Sequence, residues 1–297
     1  MQRIKFALIG GGVVGQCYGH ALVEQGHALL GVWDVHPTPS LESMTETAGA
    51  GIFSSAGEWL EDADVVVSAV FGSAALDVAQ RALACMRRAS LYIDMTTATP
   101  QDMALADTEA QQHGVGFVDV AITGAVNLRG SKTPLLCAGK QAGQFVELFR
   151  DLGAPIRVVG PKPGDAAQLK LLRSIFAKGL EALTIECLTT AEVAGLRAEL
   201  HEVLLDIDQM PLQTLMESLV ATHIEHAPRR HKEVIEAANL MRANGIEPLV
   251  LDGARALFER TAAALELQSA PTGSVQASLQ WLIDCGRDRK QMATTGT

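Results

Sequence analysis

The chain has 297 residues, 48% of them hydrophobic and 20% charged, with a formal net charge of −10. That length and mixture suit two folded domains and exclude disorder as the default, and the acidic balance excludes the basic surface that nucleic acid requires and offers no attraction to an anionic membrane. No apolar stretch reaches the roughly 20 residues of a membrane span, no signal-peptide pattern opens the chain, and the five cysteines form no Cys-x-x-Cys pair, so a cytoplasmic protein without disulfides or a metal site is expected.

The first predicted strand, Lys5–Ile9, runs straight into Gly10-Gly11-Gly12-Val13-Val14-Gly15. A helix over Gln16–Gln25 follows, Gly26-His27 closes it, and Ala28–Trp33 supplies a second buried strand ending at Asp34. A complete strand-helix-strand unit carrying Gly-x-Gly-x-x-Gly is a dinucleotide-binding fingerprint. Gly10 is expected to make the tight turn, Gly12 to leave room for backbone to approach a pyrophosphate, and Gly15 to let the helix lie close on the strand. The phosphates then sit at the helix N-terminus, where free amides and the macrodipole favour negative charge. Asp34, nineteen residues after Gly15, suits both hydroxyls of an adenosine ribose and repels a 2′-phosphate. That favours NAD, while a protonated His36 leaves NADP open. Val13 and Val14 on the first helical turn, and Val70 and Phe71 beyond the third strand, are further expected cofactor contacts.

Five more strands follow, over Val65–Ala69, Leu91–Asp94, Gly116–Val120, Pro134–Ala138 and Ile156–Val159, each nearly continuous in hydrophobic character and separated by helical segments. This pattern predicts an α/β Rossmann-type domain, a mostly parallel doubly wound sheet covered on both faces, over residues 1–162. After Gly160-Pro161-Lys162-Pro163-Gly164 the strand signal disappears. Asp165 reads as the N-cap of a long interdomain helix whose apolar face includes Leu169, Leu172, Ile175, Phe176 and Leu180. Helices are expected near Glu199–Asp206, Leu212–Thr222, Pro228–Asn244, Pro248–Glu266 and Ser274–Cys285, with breaks at Pro211, at Asn244-Gly245 and at 269–273. An all-helical domain over 163–288 and a fraying polar tail over 289–297 complete the expected organisation.

Three stretches stand where a dinucleotide enzyme needs chemistry. Asp94-Met95-Thr96-Thr97-Ala98-Thr99-Pro100 and Asp119-Val120-Ala121-Ile122-Thr123-Gly124-Ala125 follow strands, and ligands of open α/β sheets bind beyond the carboxyl ends of strands. Gly164-Asp165-Ala166-Ala167-Gln168-Leu169-Lys170 opens the long helix. Over about residues 4–190 this order resembles the β-hydroxyacid dehydrogenase family, which includes 3-hydroxyisobutyrate, tartronate-semialdehyde and 6-phosphogluconate dehydrogenases. The resemblance implies that Thr97, in the family's Asp-x-Ser-Thr-x-x-Pro segment, lies near the nicotinamide. It implies that Thr123 and Gly124, at the family's Asp-x-Pro-Val-Ser-Gly-Gly motif, hold a substrate carboxyl, with Thr123 in place of serine; the bottom-up alternative for Thr123 is a plain strand-to-helix cap. Lys170 matches the catalytic lysine. Ser174 stands where the family usually has a substrate-orienting asparagine, a shorter group without the amide's donor and acceptor pair. The C-terminal part resembles a poorly characterised branch with its own helical domain.

The implied reaction is hydride transfer between a hydroxy acid and nicotinamide, with Lys170 moving the hydroxyl proton, which requires a lysine pKa below the usual value of about 10.4. Lys178 is either a cationic neighbour that helps lower it or a solvated lysine. His223, His226, Arg229, Arg230 and His231 gather positive charge in an acidic chain: either an anion-binding wall with Arg230 on a substrate carboxylate or phosphate, or a solvated face paired with Glu225, Glu233 and Glu236. A small anionic substrate and a homodimer through the helical domain are expected. Two rivals stay open: imine reduction on the same fold, which usually dispenses with the lysine, and a non-catalytic dinucleotide sensor.

Overall fold

The computed structural model describes residues 3–96, 98–271 and 273–294, residues 288–294 as backbone alone. The chain divides into two compact units, one ending at Ser174 and the other beginning at Ile175.

The first unit is built on eight strands: β1 (Lys5–Ile9), β2 (Ala28–Trp33), β3 (Gly51–Phe53), β4 (Val65–Ser68), β5 (Leu91–Asp94), β6 (Gly116–Ile122), β7 (Leu135–Ala138) and β8 (Ile156–Gly160). They form one sheet in the order β3-β2-β1-β4-β5-β6-β7-β8. All neighbours are parallel except β6 and β7. Both faces are buried, and alternation along a single strand shows it: Phe6 and Leu8 of β1 join one apolar cluster, Ala7 and Ile9 the other. That is why the strands read as continuous apolar runs. The strand order reverses between β1 and β4, which makes their carboxyl ends the switch point where open α/β sheets take ligands.

Helices α1 (Val13–Glu24), α2 (Pro39–Ala48), α3 (Ala75–Leu83), α4 (Pro100–His113), α5 (Val126–Arg129) and α6 (Ala142–Phe149) connect the strands. α4 opens with a reciprocal capping box between Thr99 and Asp102. Helix α7 (Asp165–Val193) starts in this unit. Its cap corrects the sequence reading: Asp165 is the first helical residue, and the opening amides of Gly164, Ala166 and Ala167 all donate to Oδ2 of Asp119 at 2.8, 3.1 and 3.1 Å. A carboxylate in the middle of β6 therefore does from across the fold what a local N-cap does elsewhere.

The second unit holds the rest of α7 with α8 (Arg197–Val203), α9 (Leu205–Asp208), α10 (Leu212–Ala243), α11 (Leu249–Leu265) and α12 (Val275–Thr294). Glu186 of α7 caps α11 by accepting from the amides of Val250 and Leu251 at 2.6 and 3.1 Å. Three expectations change. Pro228 lies inside α10 instead of starting a new helix; the missing N–H removes one backbone bond, and an otherwise helical stretch of this length absorbs that. The expected helix near Glu199–Asp206 is two short helices. Backbone helix continues through Thr294 where fraying was expected from residue 289; residues 295–297 lie outside the described ones. β3, three residues long at the sheet edge, was not foreseen.

Candidate functional site

At the glycine turn, steric demand separates the glycines by role. Gly10 sits at φ +90°, and a Cβ there would lie 2.5 Å from the Ala69 carbonyl oxygen. A Cβ on Gly15 would lie 1.9 Å from the oxygen of Gly10, so this glycine lets α1 close on the turn. At Gly12 a Cβ would meet nothing within 4 Å: here the backbone is open, as a pyrophosphate approaching the turn requires.

Two clefts flank this turn inside the first unit. One, of about 590 Å³, is lined by Asp34, His36, Phe71 and Arg81 among others; the second, of about 730 Å³, is lined by Thr96, Gly124, Asn127, Lys170, Arg173 and Ser174 among others. Val13, Val14, Ala69 and Val70 form walls of both. Together these clefts lead past the glycine turn from Asp34 to Lys170, the course an extended dinucleotide needs. The carboxylate of Asp34 is fixed at both oxygens, accepting from the Gly11 amide at 2.6 Å and the His36 amide at 2.7 Å. Its remaining lone pairs are free to accept from ribose hydroxyls. Arg81 lies over the Trp33 ring at 4.9 Å and pairs with Asp77 at 3.6 Å, so its charge in the first cleft is partly answered. Thr97 lies outside the described residues.

Lys170 is half-buried, and burial pushes its pKa below the ordinary value; the Arg173 guanidinium pushes the same way, while the Asp119 carboxylate opposes them. The cationic neighbour is thus Arg173, a residue not singled out in the sequence. Lys178 is exposed and pairs with Glu181 at 2.6 Å, the solvated alternative. The apolar neighbours Leu169, Leu171 and Leu172 are exposed in this chain, contrary to the expected buried face.

The two hydroxyls expected at the substrate are engaged with backbone. Thr123 Oγ1 donates to the Pro134 carbonyl at 3.0 Å, and Ser174 Oγ donates to the Lys170 carbonyl at 2.9 Å. Each keeps only acceptor capacity, which a substrate carboxylate cannot use. Gly124 lies on the cleft wall. Asn127, on the short α5, lines the same cleft as Lys170 and supplies the amide that Ser174 lacks. Nothing in its sequence neighbourhood announces it, because only the turn after β6 brings it there. Arg230 belongs to the second unit, where its Nη2 donates to Thr222 Oγ1 at 3.0 Å.

Beneath the second cleft lies a buried polar group. Ser68 and Asp94, the last residues of β4 and β5, stand side by side in register with Asp119 in the middle of β6. Asp94 Oδ1 accepts from the amide of Thr96 at 2.8 Å. Asp94 Oδ2, Ser68 Oγ, Tyr92 Oη and Thr96 Oγ1 have no hydrogen-bond partner among the described residues. Burial, with a smaller push from Asp119, raises the Asp94 pKa to about 7 against the hydrogen bond from the Thr96 amide.

Residues 5–160 match the family described as the NAD binding domain of 6-phosphogluconate dehydrogenase, and residues 191–261 match a domain of unknown function (DUF1932). A Mycobacterium bovis protein named probable 3-hydroxyisobutyrate dehydrogenase is 29% identical over 134 residues, 45% of this chain and 45% of that one. Conserved protein MTH1747, of unknown function and described as structurally similar to 3-hydroxyacid dehydrogenases, is 30% identical; the match covers 90% of this chain and 100% of that one with a TM-score of 0.61. An imine reductase variant from Myxococcus stipitatus, solved with NAD+, superposes with a TM-score of 0.76 over 95% of this chain and 100% of its own. At 16% identity that last likeness is one of fold. No described helix is long and apolar enough to cross a membrane.

Proposed function

The chain belongs to the family built on the NAD binding domain of 6-phosphogluconate dehydrogenase and is an NAD(P)-binding oxidoreductase; within that family we propose that it is NAD-dependent and acts on a small β-hydroxy acid or the matching aldehyde or ketone, with Lys170 as general acid/base. The carrying observation is that a half-buried lysine of lowered pKa lines the same cleft as the carboxyl ends of β4 and β6, continuous with the open glycine turn. When bound, the nicotinamide ring supplies the hydride acceptor or donor. Lys170, as neutral amine, takes the hydroxyl proton during oxidation and returns it as ammonium during reduction. In this reading Asn127 orients the substrate oxygen and Gly124 with Arg173 holds a carboxylate, supported by all three lining the cleft with Lys170.

The test is NADH formation with a panel of small β-hydroxy acids, free and phosphorylated, offered with NAD and with NADP. Turnover that prefers NAD supports the reading; silence across the panel overturns it. Imine reduction is the second reading, favoured by the commitment of Thr123 and Ser174 hydroxyls to backbone, which leaves fewer donors for a carboxylate; cyclic imines with NADH or NADPH test it. NADH binding without turnover on either panel leaves the sensor reading.

Replacing Asp34 with alanine is expected to weaken NAD binding by roughly 10- to 100-fold, the effect of losing charged hydrogen bonds of about 1.5–3 kcal/mol, and to move the NAD/NADP ratio towards NADP because the repulsive charge is gone. Competition binding with both cofactors measures this, and an unchanged ratio places the ribose contact elsewhere.

A homodimer through the helical unit belongs to the same proposal. Ile175, Val203 and Leu240 are 72%, 71% and 58% exposed in the single chain, and large contiguous apolar surface in a solution protein marks an interaction face. Light scattering should give twice the chain mass; a monomer at micromolar concentration contradicts it. Cys17, Cys85, Cys137 and Cys187 are free thiols, which fits a reducing compartment such as the cytoplasm.

A further inference from the structure

Helices α10 and α11 bring His223, Arg230 and Arg260 together, all half-buried. His223 Nε2 lies 2.9 Å from Thr261 Oγ1. Because that hydroxyl donates to the Leu257 carbonyl at 3.2 Å, it serves the imidazole as acceptor. The Thr222 hydroxyl likewise donates to the Ser218 carbonyl at 2.9 Å and accepts from Arg230 Nη2 at 3.0 Å. Thr222 thus holds a guanidinium and Thr261 an imidazole through its Nε2–H. The neighbouring charges that act on His223 are Arg230 and Arg260, both positive, and together with burial they push its pKa below the ordinary 6.5.

What is missing is a counter-charge. On the same two helices the exposed Arg229, Arg242 and Arg255 each meet a carboxylate, on Glu233, Asp252 and Asp252. Among the described residues neither Arg230 nor Arg260 has such an ion pair, although the chain carries a net charge of −10. Of the two sequence-level readings, pairing with Glu233 is therefore realised by Arg229 and not by Arg230. Two half-buried guanidiniums that face one imidazole without an acid are costly as they stand, and an oxyanion relieves the cost through planar, charge-assisted hydrogen bonds.

We infer that His223, Arg230 and Arg260 form a binding site for a small dianionic oxyanion, a phosphate monoester or a dicarboxylate. The site lies wholly within the helical unit and does not depend on the reading of the dinucleotide cleft.

Calorimetric titration tests it, using inorganic phosphate and malonate against chloride at equal ionic strength, with and without saturating NADH so that the glycine turn is not the site read. One saturable event is expected with phosphate or malonate and none with chloride; the tighter of the two identifies the ligand class. Arg260→Gln and Arg230→Gln should each weaken it at least tenfold, with NADH binding unchanged as the sign that the chain is folded. Should a variant lose NADH binding as well, Arg260→Lys is used, which keeps the charge and should weaken binding less than the glutamine. Equal response to all three anions, or undiminished phosphate binding in the Arg230→Gln/Arg260→Gln double variant, overturns the inference. If NADH fails to bind the wild type, the cofactor reading falls while the arginine dependence of phosphate binding remains readable.

Discussion

Lys170→Ala should lower kcat by about 10²–10⁴-fold, the usual contribution of a positioned acid/base, while the NADH dissociation constant stays nearly unchanged. The split follows from position. Lys170 lines the second cleft only, whereas the adenosine side is held by Asp34 and the glycine turn in the first. The pH profile supplies a further signature. Burial and Arg173 favour the neutral amine, and Asp119 favours the ammonium; the net lowering brings the neutral form within reach at milder pH. Oxidation in the wild type should therefore rise with pH as Lys170 loses its proton, and reduction should fall. Alanine removes that inflection from both directions. Activity near wild type with the inflection intact assigns the proton to another group.

The parts of this design legible in the sequence are those whose cause is local. Gly10, Gly12 and Gly15 are required by a turn and its adjacent helix, so six consecutive residues display the whole argument, and Asp34 follows at the distance one helix and one strand impose. Lys170 was reached by resemblance rather than by pattern: the leucines around it suggest burial that the single chain does not give them. Asp119 illustrates what stays hidden. Its carboxylate caps a helix whose first bonded amide, that of Gly164, lies 45 residues later in the chain, and no window on the sequence shows a cap at that separation. Arg173 and Asn127 are similar cases, polar residues on unremarkable segments that become cleft walls only after β6, α5 and the start of α7 are in place. On α10 the opposite error arose, since Pro228 carries a strong local breaking signal that the surrounding helix overrides.

The second large effect concerns Asp94. This carboxyl is fully buried, and burial with the neighbouring Asp119 raises its pKa from 3.8 to about 7. No cation among the described residues offsets this; the hydrogen bond from the Thr96 amide only moderates it. The folded state thus holds a proton on Asp94 that the unfolded chain releases at lower pH. The stabilisation linked to that proton is complete below about pH 4, declines as pH rises towards 7, and is gone above it, on the order of 4 kcal/mol in all. Burial raises Asp119 in the same direction, and the lowered His27 and His223 act oppositely just below pH 6.5. Comparing wild type with Asp94→Asn cancels all three. Asparagine keeps the oxygen that accepts from the Thr96 amide and carries no charge to bury, so the variant should resemble wild type near pH 4 and exceed it by several kcal/mol at pH 8. Denaturant melts at the two pH values measure the difference. If the two proteins lose stability in parallel, Asp94 is ionised in the fold, and the hydroxyls of Ser68, Tyr92 and Thr96, unpartnered among the described residues, turn towards it as donors.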